Sequence, residues 1–266
     1  MRITFLVNLD LYSNYALNLL LPALSEHHEL TVRSSSHVGS AHKSSALDRL
    51  AFFEQTLPNQ VIFPILDRSE QRGELLTFTG LTRYLKTPIC PLEEPNTEIG
   101  LRALQATQPD LIVSIRYGRI LHAAAIAIAR LGVLNLHSGK LPEYRGVMAT
   151  FRAMLNADDE IFSTVHWITD DSIDSGPIIS QQGVWREPTS CYLGNVLSLY
   201  ESGCPALARA ITALTHEQTL PSTPPCTQGS YYSYPTQRHI DHFQSAGHEW
   251  ADPRLLTRFL ARYHAL

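Results

Sequence analysis

Residues 110–137 read DLIVSIRYGRILHAAAIAIARLGVLNLH. Residues 110–115 (DLIVSI) and 132–137 (GVLNLH) are short apolar runs, and residues 122–129 between them suit a helix. Continuous apolar strands belong to a sheet covered on both faces. A strand, a helix and a second strand in this order build parallel neighbours.

The same alternation extends toward the N-terminus. Residues 3–7 (ITFLV) predict the first strand and residues 15–24 a helix capped by Ser13 or Asn14, with Pro22 in its last turn. Residues 29–33 predict a second strand, and 46–55 a helix with Leu47, Leu50 and Phe53 on one face. Residues 61–66 predict a third strand, weakened by Pro64, and 98–106 a helix. After residue 160 the pattern changes. Residues 163–168 (STVHWI) and 178–184 (IISQQGV) predict two antiparallel strands joined by the loop 169–176. A long helical stretch at 189–214 carries interruptions at Gly203 and Pro205. The expected architecture is α/β: a doubly wound, mostly parallel, Rossmann-like sheet at residues 1–218, a linker at 219–229, and a short aromatic C-terminal extension at 230–266. Such sheets hold ligands beyond the carboxyl ends of their strands, here Arg116-Tyr117-Gly118 and Asn135-Leu136-His137.

Composition narrows the function. The chain has 266 residues, 44% of them hydrophobic, enough for one large domain. A formal net charge of -4 gives no footprint for a nucleic-acid backbone. Cys90, Cys191, Cys204 and Cys226 form no C-x-x-C pair, and free thiols suit a reducing compartment. The N-terminus has no cleavable signal pattern. The apolar stretch 19–24 is too short for a bilayer, and 122–136 is broken by Arg130 and Gly132. The expectation is a cytoplasmic protein with no membrane span and no nucleic-acid partner. No metal is expected: His239 and His242 have i,i+3 spacing with His248 nearby, but no supporting ligand set. No G-x-G-x-x-G follows the first strand, so a dinucleotide site is unsupported. Tyr231, Tyr232 and Tyr234 form an interaction surface, a pocket wall or a packing cluster.

Residues 135–146 read NLHSGKLPEYRG, and residues 170–178 read DDSIDSGPI. Here the chain resembles the folate-dependent formyltransferases, whose signature is N-x-H-x-x-x-L-P-x-x-x-G followed by an acidic loop ending in D-x-G. The resemblance is clearest over residues 110–182, architectural before 80 and weak after 220. It implies a donor, N10-formyl-tetrahydrofolate, as co-substrate and Asn135, His137 and Asp174 as the catalytic trio. It also implies pterin walls at Gly118, Arg119, Ile120 and Leu121 and at Thr169, Asp170 and Asp171. Lys140 and Tyr117 are candidates for contact with the acceptor or the folate tail, while Tyr144 and Arg145 read as structural.

The chemistry suits these residue types. When an amine attacks the formyl carbon, an amide donor such as Asn135 can hold the developing oxyanion. His137 can move the proton, and Asp174 can orient it or raise its basicity. On a strand, Asn135 and His137 point to one face. Residues 8–13 (NLDLYS) lack the glycine-rich phosphate loop of the glycinamide ribonucleotide enzyme. Residues 230–266 are too few for the β-barrel of the tRNA enzyme, and no regulatory domain precedes the first strand as in the deformylase. The expected acceptor is therefore a small-molecule amine, first a nucleotide-linked amino sugar. The alternatives are an amino-acid-derived amine or hydroxylamine, water, or a folate-binding protein without turnover. The aromatic C-terminal segment is expected to pack on its own domain or on a second copy in a homodimer.

Overall fold

The computed structural model describes residues 1–36, 44–69, 73–224 and 229–264. The first half contains β1 (Arg2–Asn8), α1 (Leu11–Ser25), β2 (Glu29–Ser35), α2 (Ser45–Ala51), α3 (Phe63–Leu66), α4 (Phe78–Leu81), β3 (Cys90–Pro91), α5 (Glu98–Gln105), β4 (Leu111–Ile115), α6 (Ala123–Ile126) and β5 (Val133–His137). The second half adds β6 (Tyr144–Gly146), α7 (Ala149–Leu155), β7 (Glu160–Ile168), β8 (Ile178–Trp185), α8 (Tyr192–Thr215), β9 (Ser230–Tyr232), α9 (Gln237–Ser245) and α10 (Pro253–Ala261). One seven-stranded sheet runs β3-β2-β1-β4-β5-β7-β8. Pairing is parallel from β3 through β5 and antiparallel for β7 and β8. The α/β, doubly wound, mostly parallel arrangement is thus as expected. The direction of winding reverses between β1 and β4, which opens a crevice at their carboxyl ends.

Burial explains the central strands. Every residue of β4 and nearly all of β1 are buried, because helices cover both faces. Leu17, Leu20 and Leu21 of α1 and Val196, Leu207 and Ile211 of α8 share one core with Phe5, Val113 and Leu134 of the sheet.

Three local expectations are corrected. The first helix begins at Leu11 and is capped by Asp10, whose carboxylate accepts from the Ser13 N–H at 2.8 Å. Residues 61–66 are not a strand: α2 continues through a π-helical stretch, Phe52–Ile62, into α3. Pro64 sits where the π-helical stretch passes into α3, and Phe63 packs on Phe78 and Tyr263. Finally, α8 runs unbroken past Gly203 and Pro205. Its buried stripe on the sheet outweighs one lost backbone bond.

The C-terminal residues are seated on their own domain. β9 pairs in parallel with β6. Phe243 and Trp250 stack with Phe151 of α7, at centroid distances of 4.9 and 5.4 Å. Tyr263 donates to Asn14 Oδ1 of α1 at 2.6 Å. Of the expected linker, residues 225–228, with Cys226, lie outside the described residues. Among the described residues no helix is long and apolar enough to cross a membrane.

Candidate active site

Asn135 and His137 stand on β5, two residues apart and on one face, as strand geometry requires. Antiparallel pairing with β7 sets His166 opposite Asn135 and Thr164 opposite His137. The loop after β7 then returns Asp174 to the same spot. The Asp174 carboxylate lies 3.5 Å from His137 Nδ1 and 3.4 Å from His166 Nε2. It also accepts from the Gly146 N–H at 2.9 Å and from Asn135 Nδ2 at 3.3 Å. The sequence-derived trio is therefore brought together, and His166 joins it as a fourth member.

Hydrogen-bond partners define the imidazoles. A carbonyl oxygen can only accept, so His137 Nε2–H donates to the Tyr144 oxygen at 2.8 Å, leaving Nδ1 directed at Asp174. By the same logic His166 Nδ1–H donates to the Trp167 oxygen at 2.9 Å. Its Nε2 then accepts from Asn135 Nδ2 at 2.9 Å. The Asn135 amide thus spends one proton on His166 and the other on Asp174. Burial alone would raise the Asp174 carboxyl, but the charge of the neighbouring His137 ring and the bond from the Gly146 N–H help to bring it down to about 2.

Close approach dictates two glycines. A Cβ on Gly139 would lie 2.7 Å from His137 Nε2 and 2.4 Å from the Ala149 Cβ. Gly146 adopts φ +97°, and a Cβ there would meet the Tyr232 carbonyl at 2.1 Å. Asp174 itself is left-handed at φ +51°, as are Arg116 and Met148 at +56°, all three beside the same cleft. Strain of this kind costs roughly 1–3 kcal/mol per residue and concentrates where geometry matters.

That cleft has a volume of about 550 Å³, within the usual range for a small-molecule site. Tyr117, Gly118, Arg119, Ile120 and Leu121 line one side, and Asp170, Asp171 and Asp174 another. Arg119 is held by Glu93, donating to its backbone oxygen at 2.8 Å and pairing with its carboxylate at 2.7 Å. The Tyr117 hydroxyl donates to the Leu92 carbonyl. Two residues picked from the sequence are not brought to the cleft. Thr169 is exposed outside the lining. Lys140 pairs with Glu143 at 3.3 Å and lies over the Phe162 ring.

Several lining residues escape sequence reasoning. Glu54, from the π-helical stretch, accepts from the Tyr12 hydroxyl at 2.7 Å and faces Arg116 at 3.9 Å. Arg116 Nε donates to the fully buried Asp10 at 2.8 Å, and its guanidinium covers the Tyr12 ring at 4.4 Å. Burial raises the Glu54 carboxyl to about 7; Arg116 opposes the rise, and Asp10 adds to it. Tyr192, Tyr231 and Tyr234 complete the lining. Of these, Arg116 carries a sequence signal as part of the strand end 116–118, and Tyr231 and Tyr234 as part of the tyrosine cluster, whereas Glu54, Asp10 and Tyr192 carry none. Among the described residues no group of three His, Cys, Asp or Glu could hold a metal ion.

His166→Leu removes the acceptor that orients Asn135. A lost buried hydrogen bond costs about 1–3 kcal/mol, so turnover is expected to fall roughly ten- to a hundredfold. His166→Gln, which retains an acceptor, should recover part of it. Single-turnover rates read against donor affinity check this, because only the rate should move.

Comparison with known proteins finds similar sequences and similar folds. Residues 88–189 match the formyl transferase family model. The methionyl-tRNA formyltransferase of Desulfotalea psychrophila is 33% identical over 162 residues, 59% of this chain and 50% of that protein. The chain spans at most about half the length of the curated relatives it matches. Glycinamide ribonucleotide transformylase 1 from Symbiobacterium toebii superposes with a TM-score of 0.58 at 16% identity, over 85% of this chain and 94% of that one. WlaRD, a sugar 3N-formyl transferase, gives 0.56 at 15% identity, over 87% and 70%. At such identities these structures speak to the fold alone, while the matched segment contains Asn135, His137, His166 and Asp174. Over residues 88–189 the chain is thus similar in sequence to the formyl transferases, and its fold is shared with solved formyltransferase structures.

Proposed function

We propose that this protein is an enzyme that transfers a formyl group from N10-formyl-tetrahydrofolate to the amine of a small molecule. The observation that carries the reading is the convergence of Asn135, His137 and Asp174 at the edge of one cleft. The amine nitrogen attacks the formyl carbon and a new C–N bond forms. The bond from that carbon to N10 of the folate breaks, and the amine's proton passes to N10. His137 Nδ1, beside the ionised Asp174, is the group positioned to carry that proton. Asn135 holds the developing oxyanion by exchanging its 3.3 Å bond to Asp174 for the substrate oxygen. Backbone groups at Gly118–Leu121 and Asp170–Asp171 suit the amide-like edge of a pterin.

For the acceptor, a nucleotide-linked amino sugar draws support from the fold shared with a sugar 3N-formyl transferase. The charge of the cleft favours the second acceptor, an amino-acid-derived amine or hydroxylamine. Asp48, Glu54, Asp170, Asp171 and Asp174 line it against Arg116 and Arg119, and both arginines are held by protein acids. A diphosphate finds no uncommitted arginine or lysine among the described lining residues.

Incubation with N10-formyl-tetrahydrofolate tests the function. Tetrahydrofolate should be released only when a small amine is added, and the amine should gain a formyl group by mass. Formate release without amine would establish a hydrolase. Formylation of methionyl-tRNA in preference to every small amine would replace the acceptor assignment. No release under any condition would overturn the enzyme reading.

A further inference from the structure

We infer that Glu54, with Arg116 and Asp10 behind it, is the specificity determinant for the acceptor, and that the acceptor carries a second, protonated nitrogen besides the amine that is formylated. The inference rests on the formyl-transfer reading and adds the substrate class.

Charge balance is the first support. Asp10 is fully buried and satisfied by Arg116, Asn8 Nδ2 and the Ser13 N–H at 2.8–2.9 Å. Arg116 is thereby spent: one nitrogen serves Asp10, its face covers Tyr12, and it reaches Glu54 only at 3.9 Å. Two carboxylates share one guanidinium, so an ionised Glu54 leaves the cluster one cation short. Buried carboxylates in that condition take a counter-ion or a proton. Burial and Asp10 together bring Glu54 to about 7 despite Arg116. A ligand ammonium would supply the missing charge.

Position is the second. Glu54 lines the same cleft as His137 and Asp174, at the carboxyl end of β1 where the sheet reverses. Of its carboxylate oxygens, Oε1 accepts from Tyr12, and among the described residues Oε2 has only the long contact to Arg116. Tyr192, Tyr231 and Tyr234 stand in the same lining, and aromatic faces attract a desolvated ammonium. An ammonium bound there leaves the other nitrogen of the molecule, uncharged, to reach the formyl carbon beside His137.

The test pairs acceptors of equal length on the full chain: 1,4-diaminobutane against butylamine, and 1,5-diaminopentane against pentylamine. A thymidine-diphosphate-linked amino sugar is the third arm. Each diamine is expected to exceed its monoamine, and the nucleotide sugar, at least tenfold in kcat/KM. In Glu54→Gln, which keeps the acceptor for the Tyr12 hydroxyl, that ratio should collapse through the KM of the diamine. Calorimetric titration of 1,5-diaminopentane onto protein saturated with 5-formyl-tetrahydrofolate reads the same contact without turnover. Binding in the wild type should weaken about tenfold in the variant. Equal use of diamine and monoamine, preference for the nucleotide sugar, a ratio that survives Glu54→Gln, or no diamine binding would each overturn the inference. Diamine binding that depends on Glu54, with no tetrahydrofolate released from any acceptor, would instead uphold the site and overturn formyl transfer.

Discussion

His137→Ala and Asp174→Ala are each expected to lower the rate of formyl transfer about a thousandfold, with the fold intact. Positioned acid–base groups are worth roughly 10²–10⁴, and here both act on one proton. His137 is held by the Tyr144 carbonyl on one nitrogen and faces Asp174 with the other. Removing the carboxylate leaves the ring without its counter-charge and the Gly146 N–H without its acceptor. The two losses should not add, because they disable the same step. Single-turnover rates of the single and double variants measure this. Near-normal rates in either single variant would remove that residue from the chemistry. Asp174 also carries a stability signature. Its carboxyl sits at about 2, below the usual carboxylate range. Its stabilisation is present above about pH 4 and is lost as pH falls toward 2. The stability gap between wild type and Asp174→Ala should close over that window in acid unfolding curves.

Phe243→Ala should cost about 3–5 kcal/mol, the range for deleting a fully buried phenylalanine. Phe243 is completely buried among Phe151 of α7, Trp250 and His248, with centroid distances of 4.5–4.9 Å. Residues 230–264 read by themselves as too small for an independent core, yet their aromatic side chains enter the same core as α1 and α8. Unfolding should accordingly remain one cooperative transition, shifted as a whole to lower denaturant. A separate early transition, with the catalytic sheet unaffected, would mean that the C-terminal segment is an independent unit.

What the sequence made legible follows from where the physics is local. β1, β4 and β5 announce themselves as apolar runs because both faces of the sheet are covered. Asn135, His137 and Asp174 stand in a spaced motif, so their convergence could be anticipated. His166 could not: within STVHWI it looks like one more inward residue of an alternating strand. Only the pairing of β5 with β7 puts it opposite Asn135. Glu54 is a lone acid on a helix face, and its meaning comes from Asp10 and Arg116, each more than forty positions away in sequence. Residues 61–66 look like a strand by composition, but the helix that starts at Ser45 carries through them once Phe63 finds Phe78 and Tyr263. Lys140 follows the catalytic strand closely in sequence, yet Glu143 and Phe162 draw it to the other side.

The parallel pairing of β6 with β9 has a consequence for biosynthesis. Gly146, which steadies Asp174, is itself shaped around the Tyr232 carbonyl. A nascent polypeptide that has emerged only as far as Thr215 possesses every residue of the catalytic motif and every strand of the main sheet. It still lacks the strut that sets the carboxylate in place and the tyrosines that close the cleft. The site is therefore completed only after residues 230–232 have threaded back beside a loop made long before them.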